Sequence, residues 1–161
     1  METITSQTKG HRTRISSLEG HIGYWLRRVS NHVSSTFAHA LNARQTSVGE
    51  WVLLSALAAG QHTTSSELAE ALGLTRGAVS KILDKLEAKE WTRRITGPDD
   101  NRVQLLSVTR QGHRTLPQLA KIADDNDEKA FACLDVREKA TLLKLLQKVA
   151  DIHDIRGVPI E

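Results

Sequence analysis

The run SSELAEALGLTRGAVSKILDKLEAKE, Ser65 to Glu90, admits few structures. Leu68, Ala69 and Leu72 share one face of a first short helix, and Val79, Ile82, Leu83 and Leu86 share one face of a second. Thr64 with Glu67 three residues later has capping-box spacing, which satisfies orphan N–H groups at a helix start. Gly73 falls between the helices, where a residue without Cβ turns at least cost. Thr75 is placed to cap the second helix. A small Ala69 allows a close crossing, and Val79 and Ile82 pack back across the turn. This is a helix-turn-helix, whose second helix can enter a DNA major groove. Its outward face carries Arg76, Ser80, Lys81 and Lys85. Taken alone, the run also fits two amphipathic helices of an ordinary bundle.

The next segment, WTRRITGPDDNRVQLLSVTRQG, reads as strand, turn, strand. Trp91 to Thr96 and Val103 to Thr109 are β-prone, and Gly97-Pro98-Asp99-Asp100-Asn101 is dense in turn residues. A hairpin directly after such a helix is a wing. Its tip holds Asp100 and Arg102, with Arg93, Arg94 and Arg110 on the arms. A guanidinium at that tip suits a narrow minor groove, where negative potential is enhanced. The plain alternative is a solvated surface hairpin.

From about Leu18 to Val149 the chain resembles the MarR family of bacterial transcriptional regulators. The resemblance is carried by Trp51-Val52-Leu53-Leu54, ELAEALGLTRGAVSKILDKLE, Arg93-Arg94, Asp100-x-Arg102 and Val108-Thr109-x-x-Gly112, in that order and spacing. The chain departs from the family at Glu90, where glycine is usual at the end of the second helix. How sharply that helix stops, and how the wing is angled, depends on how Glu90 is accommodated.

Composition narrows the partners. A net charge of +3 would not by itself imply nucleic acid, but its distribution is uneven. From Thr75 to Arg110 eight basic residues face five acidic ones, whereas residues 121–161 hold seven basic against nine acidic. The positive field is thus local to the proposed reading segment and to the N-terminal part. Aromatic content of 4% argues against single-strand binding on stacked rings. A single cysteine excludes a disulfide framework and a thiolate zinc finger. No apolar run reaches membrane-span length and no signal-peptide core is present, so a soluble, cytoplasmic protein is expected.

In chain order, residues 1–12 read as a mobile tail. Residues 13–45 read as a long helix from about Arg14 to Ala43, with Ile15, Leu18, Ile22, Leu26, Val29, Val33, Phe37 and Leu41 in one stripe that the C-terminal helices could cover. Residues 46–110 hold the reading unit, opened by a Ser47/Glu50 capping box. Trp51, Leu54, Leu57 and Ala58 form the buried face of its first helix, and Gly60 ends that helix. Residues 111–158 hold two more helices, the first with Pro117 in its first turn and running to about Cys133. The second is capped by Asp135 and Glu138. Its Leu142, Leu143, Leu145, Leu146, Val149 and Ile152 are too many for one intramolecular contact. A twofold partner, with first and last helices interleaving, is the simplest remedy, and a monomer with a thick core is the alternative. The expected fold is therefore mainly α (α+β): a winged helix-turn-helix whose N- and C-terminal helices form a dimerisation domain.

Other chemistry is sparse. Seven histidines invite a metal reading, but His21, His32 and His39 stand roughly 16 Å and 10 Å apart along one helix at ~1.5 Å per residue. They cannot share an ion within it. Relatives that sense oxidation use a cysteine in the N-terminal helix; Cys133 lies elsewhere and reads as a small buried hydrophobe. No phosphate loop, nucleophile elbow or HExxH is present, so no enzyme, cofactor or metal site is expected.

The resemblance implies an effector pocket for small anionic or aromatic molecules, between the dimer helices and the DNA-binding lobe. It places Arg28 where relatives use a basic side chain to hold a carboxylate, with Trp25, His32 and Trp51 lining the same cavity. The alternative for Arg28 is a bridge to an acidic side chain of the dimer region. The joint expectation is a homodimeric repressor on an inverted-repeat operator. Arg76 and Ser80 would read base edges, Thr75, Lys81 and Lys85 would hold phosphates, and Arg102 would enter the minor groove, oriented by Asp100. Ser65, Gly77, Arg94 and Asn101 complete the expected DNA-contacting set. Two rivals are a metal-dependent sensor using the histidines and a winged-helix protein-interaction module. Basic recognition-helix and wing tips disfavour the latter.

Overall fold

The computed structural model describes residues 16–60, 64–96, 104–158 and 160. By internal contacts the chain divides into two units, residues 1–32 and 33–161. The expected tail at 1–12 lies outside the described residues.

In the first unit, Leu18–Gly20 form a single 3-10 turn, His21 is extended, and helix α1 (Ile22–Asn42) begins only then. The apolar spacing predicts a helix from about Arg14. Periodicity sees one stripe through this segment because it does not register a break at a glycine, which loses more conformational entropy in a helix than any other residue. The stripe within this unit is uncovered: Leu18, Ile22, Trp25, Leu26 and Val29 are all exposed.

The second unit begins in the last part of α1 and continues with α2 (Val48–Ala58), α3 (Ser65–Leu72) and α4 (Arg76–Ala88). Strands β1 (Thr92–Thr96) and β2 (Gln104–Val108) follow, then α5 (Arg110–Ala130) and α6 (Val136–Ile152). The strands pair antiparallel, with Thr92 opposite Val108 and Thr96 opposite Gln104. All three capping boxes are formed, by Ser47/Glu50, Thr64/Glu67 and Asp135/Glu138. Helix α2 is the axis of the core, packed by α3, α4, α5 and β2. It therefore buries Val52, Leu53, Leu54 and Leu57, a wider face than its sequence predicts, while Trp51 and Ala58 are only half-buried. Around it Leu41, Leu68, Val79, Leu83, Leu86, Leu106 and Leu119 are buried, each Leu contributing roughly 1.5–3 kcal/mol.

Four helix ends, those of α1, α3, α4 and α6, follow one device. At Gly73 the backbone turns left-handed (φ 66°), and Leu74 N–H reaches back to Ala69 O at 2.9 Å. Gln45, Glu90 and Asp154 do the same with φ of 54°, 60° and 51°, and the next residue's N–H reaches Leu41, Leu86 and Ala150 respectively. These are Schellman closures in which a side-chain-bearing residue occupies the position glycine favours. Glu90 thus stops α4 as sharply as glycine would, at the cost of backbone strain.

Two expectations for the C-terminal part are corrected. Thr109 caps α5 by accepting the Gly112 N–H, so the helix starts at Arg110 and Pro117 lies in its interior. Proline there withholds an N–H from the carbonyl four residues back, a cost that the surrounding packing must offset. The helix ends at Ala130, and Cys133, in the turn after it, is exposed rather than buried. In α6 Leu143, Leu145, Leu146, Val149 and Ile152 are exposed. Beyond α6 the chain returns to the core: Val158 and Ile160 pack against it, and Val158 N–H approaches Leu72 O at 3.4 Å.

Candidate nucleic-acid interface

Helix α4 is held at its start by the Thr75 hydroxyl, which accepts the Ala78 N–H at 3.2 Å. The hydroxyl keeps its own proton for an outside acceptor. Val79, Leu83 and Leu86 anchor the helix, and Arg76, Gly77, Ser80, Lys81 and Lys85 are exposed. Arg76 and Ser80 form one ridge at i, i+4 that Asp84 continues; Lys81 and Lys85 form the next. Among the described residues, Arg76, Lys81 and Lys85 join no ion pair. A Cβ on Gly77 would meet nothing within 4 Å, so packing within the chain does not require glycine there. Ser65, the first residue of α3, is half-buried.

The wing is fastened to α4 at its base. Lys89 Nζ donates to Glu50 Oε1 and to Gln45 O, both at 2.6 Å, and lies 4.8 Å from the Trp91 ring centroid. One ammonium so ties the ends of α1 and α4 to the start of α2. Glu50 is 4% exposed. Burial pushes its carboxyl up, but hydrogen bonds from Lys89 and from the Ser47 backbone and hydroxyl outweigh this and hold it below the usual carboxylate range. Thr109 N–H donates to Trp91 O at 2.9 Å, and its hydroxyl donates to Glu90 O. Gly112 passes so close that a Cβ would lie 2.2 Å from Trp91 O and 2.7 Å from Val108 Cγ1. Its glycine is a requirement of close approach.

Arg94 does not stand as the free cation its sequence suggests. Its guanidinium is shared between Asp84 and Glu87 of α4. Sequence reasoning missed both partners, although Asp84 and Glu87 at i, i+3 were a signal that one cation could bridge them. Asp100, Asn101 and Arg102 lie outside the described residues.

The residues expected at an effector pocket fall in both units. In the first, Trp25 Nε1 donates to Glu19 O at 2.9 Å, and the Arg28 guanidinium lies 5.5 Å from the Trp25 ring centroid and 3.5 Å from Tyr24 Oη. His32 is exposed. In the second, Trp51 meets Phe37 edge to face at 5.1 Å. Its indole N–H is buried without a hydrogen-bond partner among the described residues. These two rings, with Val33, Asp124, Asn126 and Asp127, line a cavity of about 240 Å³. Asn126 braces it by donating to Val33 O at 3.3 Å and accepting from the Thr36 hydroxyl at 2.8 Å. The α5 lining has no signal in the linear pattern, because those residues meet Trp51 only through the fold. Among the described residues no group of three His, Cys, Asp or Glu could hold a metal, and no helix is long and apolar enough to cross a membrane.

A sequence profile described as the MarR family matches residues 46–103. The chain is 28% identical, over 83% of its length and 81% of the relative's, to a Thauera aromatica protein assigned as transcriptional regulator of the hcr operon. It is 33% identical to the multiple antibiotic resistance protein MarR of Escherichia coli over 53% of this chain and 60% of that one. Among solved structures, the transcriptional repressor CouR bound to a 23-mer DNA duplex superposes with a TM-score of 0.74 at 27% identity, covering 83% of this chain and 94% of CouR.

Proposed function

The chain belongs to the MarR family of winged helix-turn-helix transcriptional regulators, and we propose that it represses transcription as a homodimer on an inverted-repeat operator until a small effector releases it. The observation that carries this reading is the exposed face of α4, where Arg76, Lys81 and Lys85 join no ion pair among the described residues. Arg76 and Ser80 read base edges, because their ridge is the one presented by the capped end of the helix. Thr75, Lys81 and Lys85 hold phosphates, Gly77 lets the backbone come close, and Ser65 donates from the start of α3. Arg102, with Asp100 and Asn101, takes the adjacent minor groove. On this reading the protein binds and does not catalyse, and it works in the bacterial cytoplasm.

Dimerisation is supported by exposed apolar residues on α6 and, separately, in the first unit. A lone subunit would leave them in water. Two half-sites one helical turn of DNA, or a multiple, apart follow from twofold symmetry. For the effector, the cavity beside Trp51 offers an aromatic wall and an unmatched N–H, suited to a flat molecule with a hydrogen-bond acceptor. Separately, in the first unit, Arg28 offers a cation to an acidic group. The effector acts by binding one spacing of the two reading helices better than the other.

Selection of duplexes from a random double-stranded pool, followed by footprinting and sedimentation of the complex, tests the reading. One inverted repeat bound by two subunits is the expected result. A monomer that enriches no sequence at low salt would overturn it.

A further inference from the structure

Arg94 occupies the third position of β1, opposite Leu106. Its backbone N–H donates to Glu87 Oε1 at 2.9 Å, Nη1 donates to Glu87 Oε2, and Nη2 donates to Asp84 Oδ1 at 2.8 Å. Glu87 therefore grips both the main chain and the side chain of one wing residue. That fixes where the strand passes and which way it faces. The contacts of Thr109 and Lys89 hold the base of the wing near Glu90 and Trp91, and leave its pitch against α4 to be set further out. Three residues at ~3.3 Å each put Arg94 roughly 10 Å up the strand from Trp91, where a clamp has leverage over the tip.

The two carboxylates have their own consequence. Asp84 lies on the same i, i+4 ridge as Arg76 and Ser80, and its side chain is 62% exposed. Unpaired, it would set a negative charge beside the residues offered to DNA. Arg94 is itself 28% exposed at the side chain and already has strong acceptors in place, so a phosphate would have to compete with both.

We propose that Arg94 is a positioning residue: it locks the wing to the reading helix at one pitch and cancels the charge of Asp84 and Glu87, and does not itself contact the duplex. The proposal rests on the assignment of α4 and the wing to DNA reading. Direct contact and clamping differ in sign. If Arg94 touched a phosphate, removing its two carboxylate competitors would free it, lessen repulsion and tighten binding. If it clamps, removing them loosens the wing and weakens binding even though the protein becomes more positive.

The test uses the full chain and the duplex that the parent selects from a random double-stranded pool. Affinities are measured across a salt series for the parent, Asp84→Ala/Glu87→Ala, Arg94→Met and the triple variant, with thermal midpoint and dimer state recorded for each. Clamping predicts that the carboxylate-free variant and Arg94→Met each bind about tenfold more weakly, a size that coupled charged neighbours reach. The triple variant is then no weaker than Arg94→Met, and the slope of log affinity on log salt is unchanged. Equal or tighter binding by Asp84→Ala/Glu87→Ala overturns the proposal, as does a loss of about 0.9 from the salt slope in Arg94→Met, the mark of one phosphate contact. Should the double variant fail to fold, Asp84→Ala alone carries the same contrast of sign. A parent that enriches no duplex removes the premise, a failure distinct from a parent that binds while its carboxylate-free variant binds as well.

Discussion

Glu90 and Gly112 sit on either side of one tight junction and show opposite solutions to backbone crowding. At Glu90 the left-handed turn is made without glycine (φ 60°), so Glu90→Gly should stabilise the protein by about 0.5–1 kcal/mol, the strain relieved less the entropy glycine adds to the unfolded chain. Urea unfolding measures this, and a loss of stability would show that the Glu90 side chain supports the junction. At Gly112 a methyl would collide with the Trp91 carbonyl; Gly112→Ala should cost about 2–3 kcal/mol in the same assay. Glu50 adds a pH dependence. Its carboxyl is held below the ordinary 4.5, so it contributes stability above that value that is lost as pH falls through the depressed one. The stability gap between parent and Glu50→Gln should therefore narrow as urea unfolding is repeated from pH 7 down to below pH 4. Lys89→Met leaves that carboxylate buried without its ammonium and should cost roughly 2–4 kcal/mol at pH 7, somewhat below a fully buried pair because Lys89 is partly exposed.

Among elements, on the proposed reading, α4 and the wing divide the work of recognition. Arg76→Ala should lower affinity for the selected operator by about 1–3 kcal/mol and relax preference at one base pair, whereas Lys85→Ala should weaken all duplexes alike and reduce the salt slope by about 1. Gel-shift titration of cognate and scrambled duplexes separates the two; equal loss on both from Arg76→Ala would move Arg76 to the phosphate class. The starts and faces of these elements were legible because their causes are local. Thr64/Glu67, Ser47/Glu50 and Asp135/Glu138 are reciprocal hydrogen bonds three residues apart, and Gly73 is a single backbone angle. The start of α5 was misplaced for the converse reason. Thr109 caps that helix while also bonding across to Glu90 and Trp91, so the boundary is set by a contact between distant parts of the chain.

For the whole molecule, the exposed leucines of α6 are where a second subunit would add most. Leu146→Glu should split the dimer, and with it lose most of the operator affinity, since each reading helix would then bind a half-site alone. Sedimentation and gel shift on the same sample check this. A dimer that persists would place the interface elsewhere. Arg28→Ala should leave operator affinity intact and abolish the response to acidic aromatic effectors in a release assay; an unchanged response would remove Arg28 from the effector site.

Periodicity, capping spacing and turn chemistry act within a few residues, so the sequence by itself determined the order of elements, the face of α4 turned to the core and the hairpin behind it. Only the tertiary structure decided how charge is shared. Arg94 reads as a DNA cation until the fold brings Asp84 and Glu87 against it, and Lys89 meets Glu50 and Gln45 from 39 and 44 residues away. An ion pair depends on which side chains share a few ångströms of space, and nothing in the linear spacing of a chain fixes that.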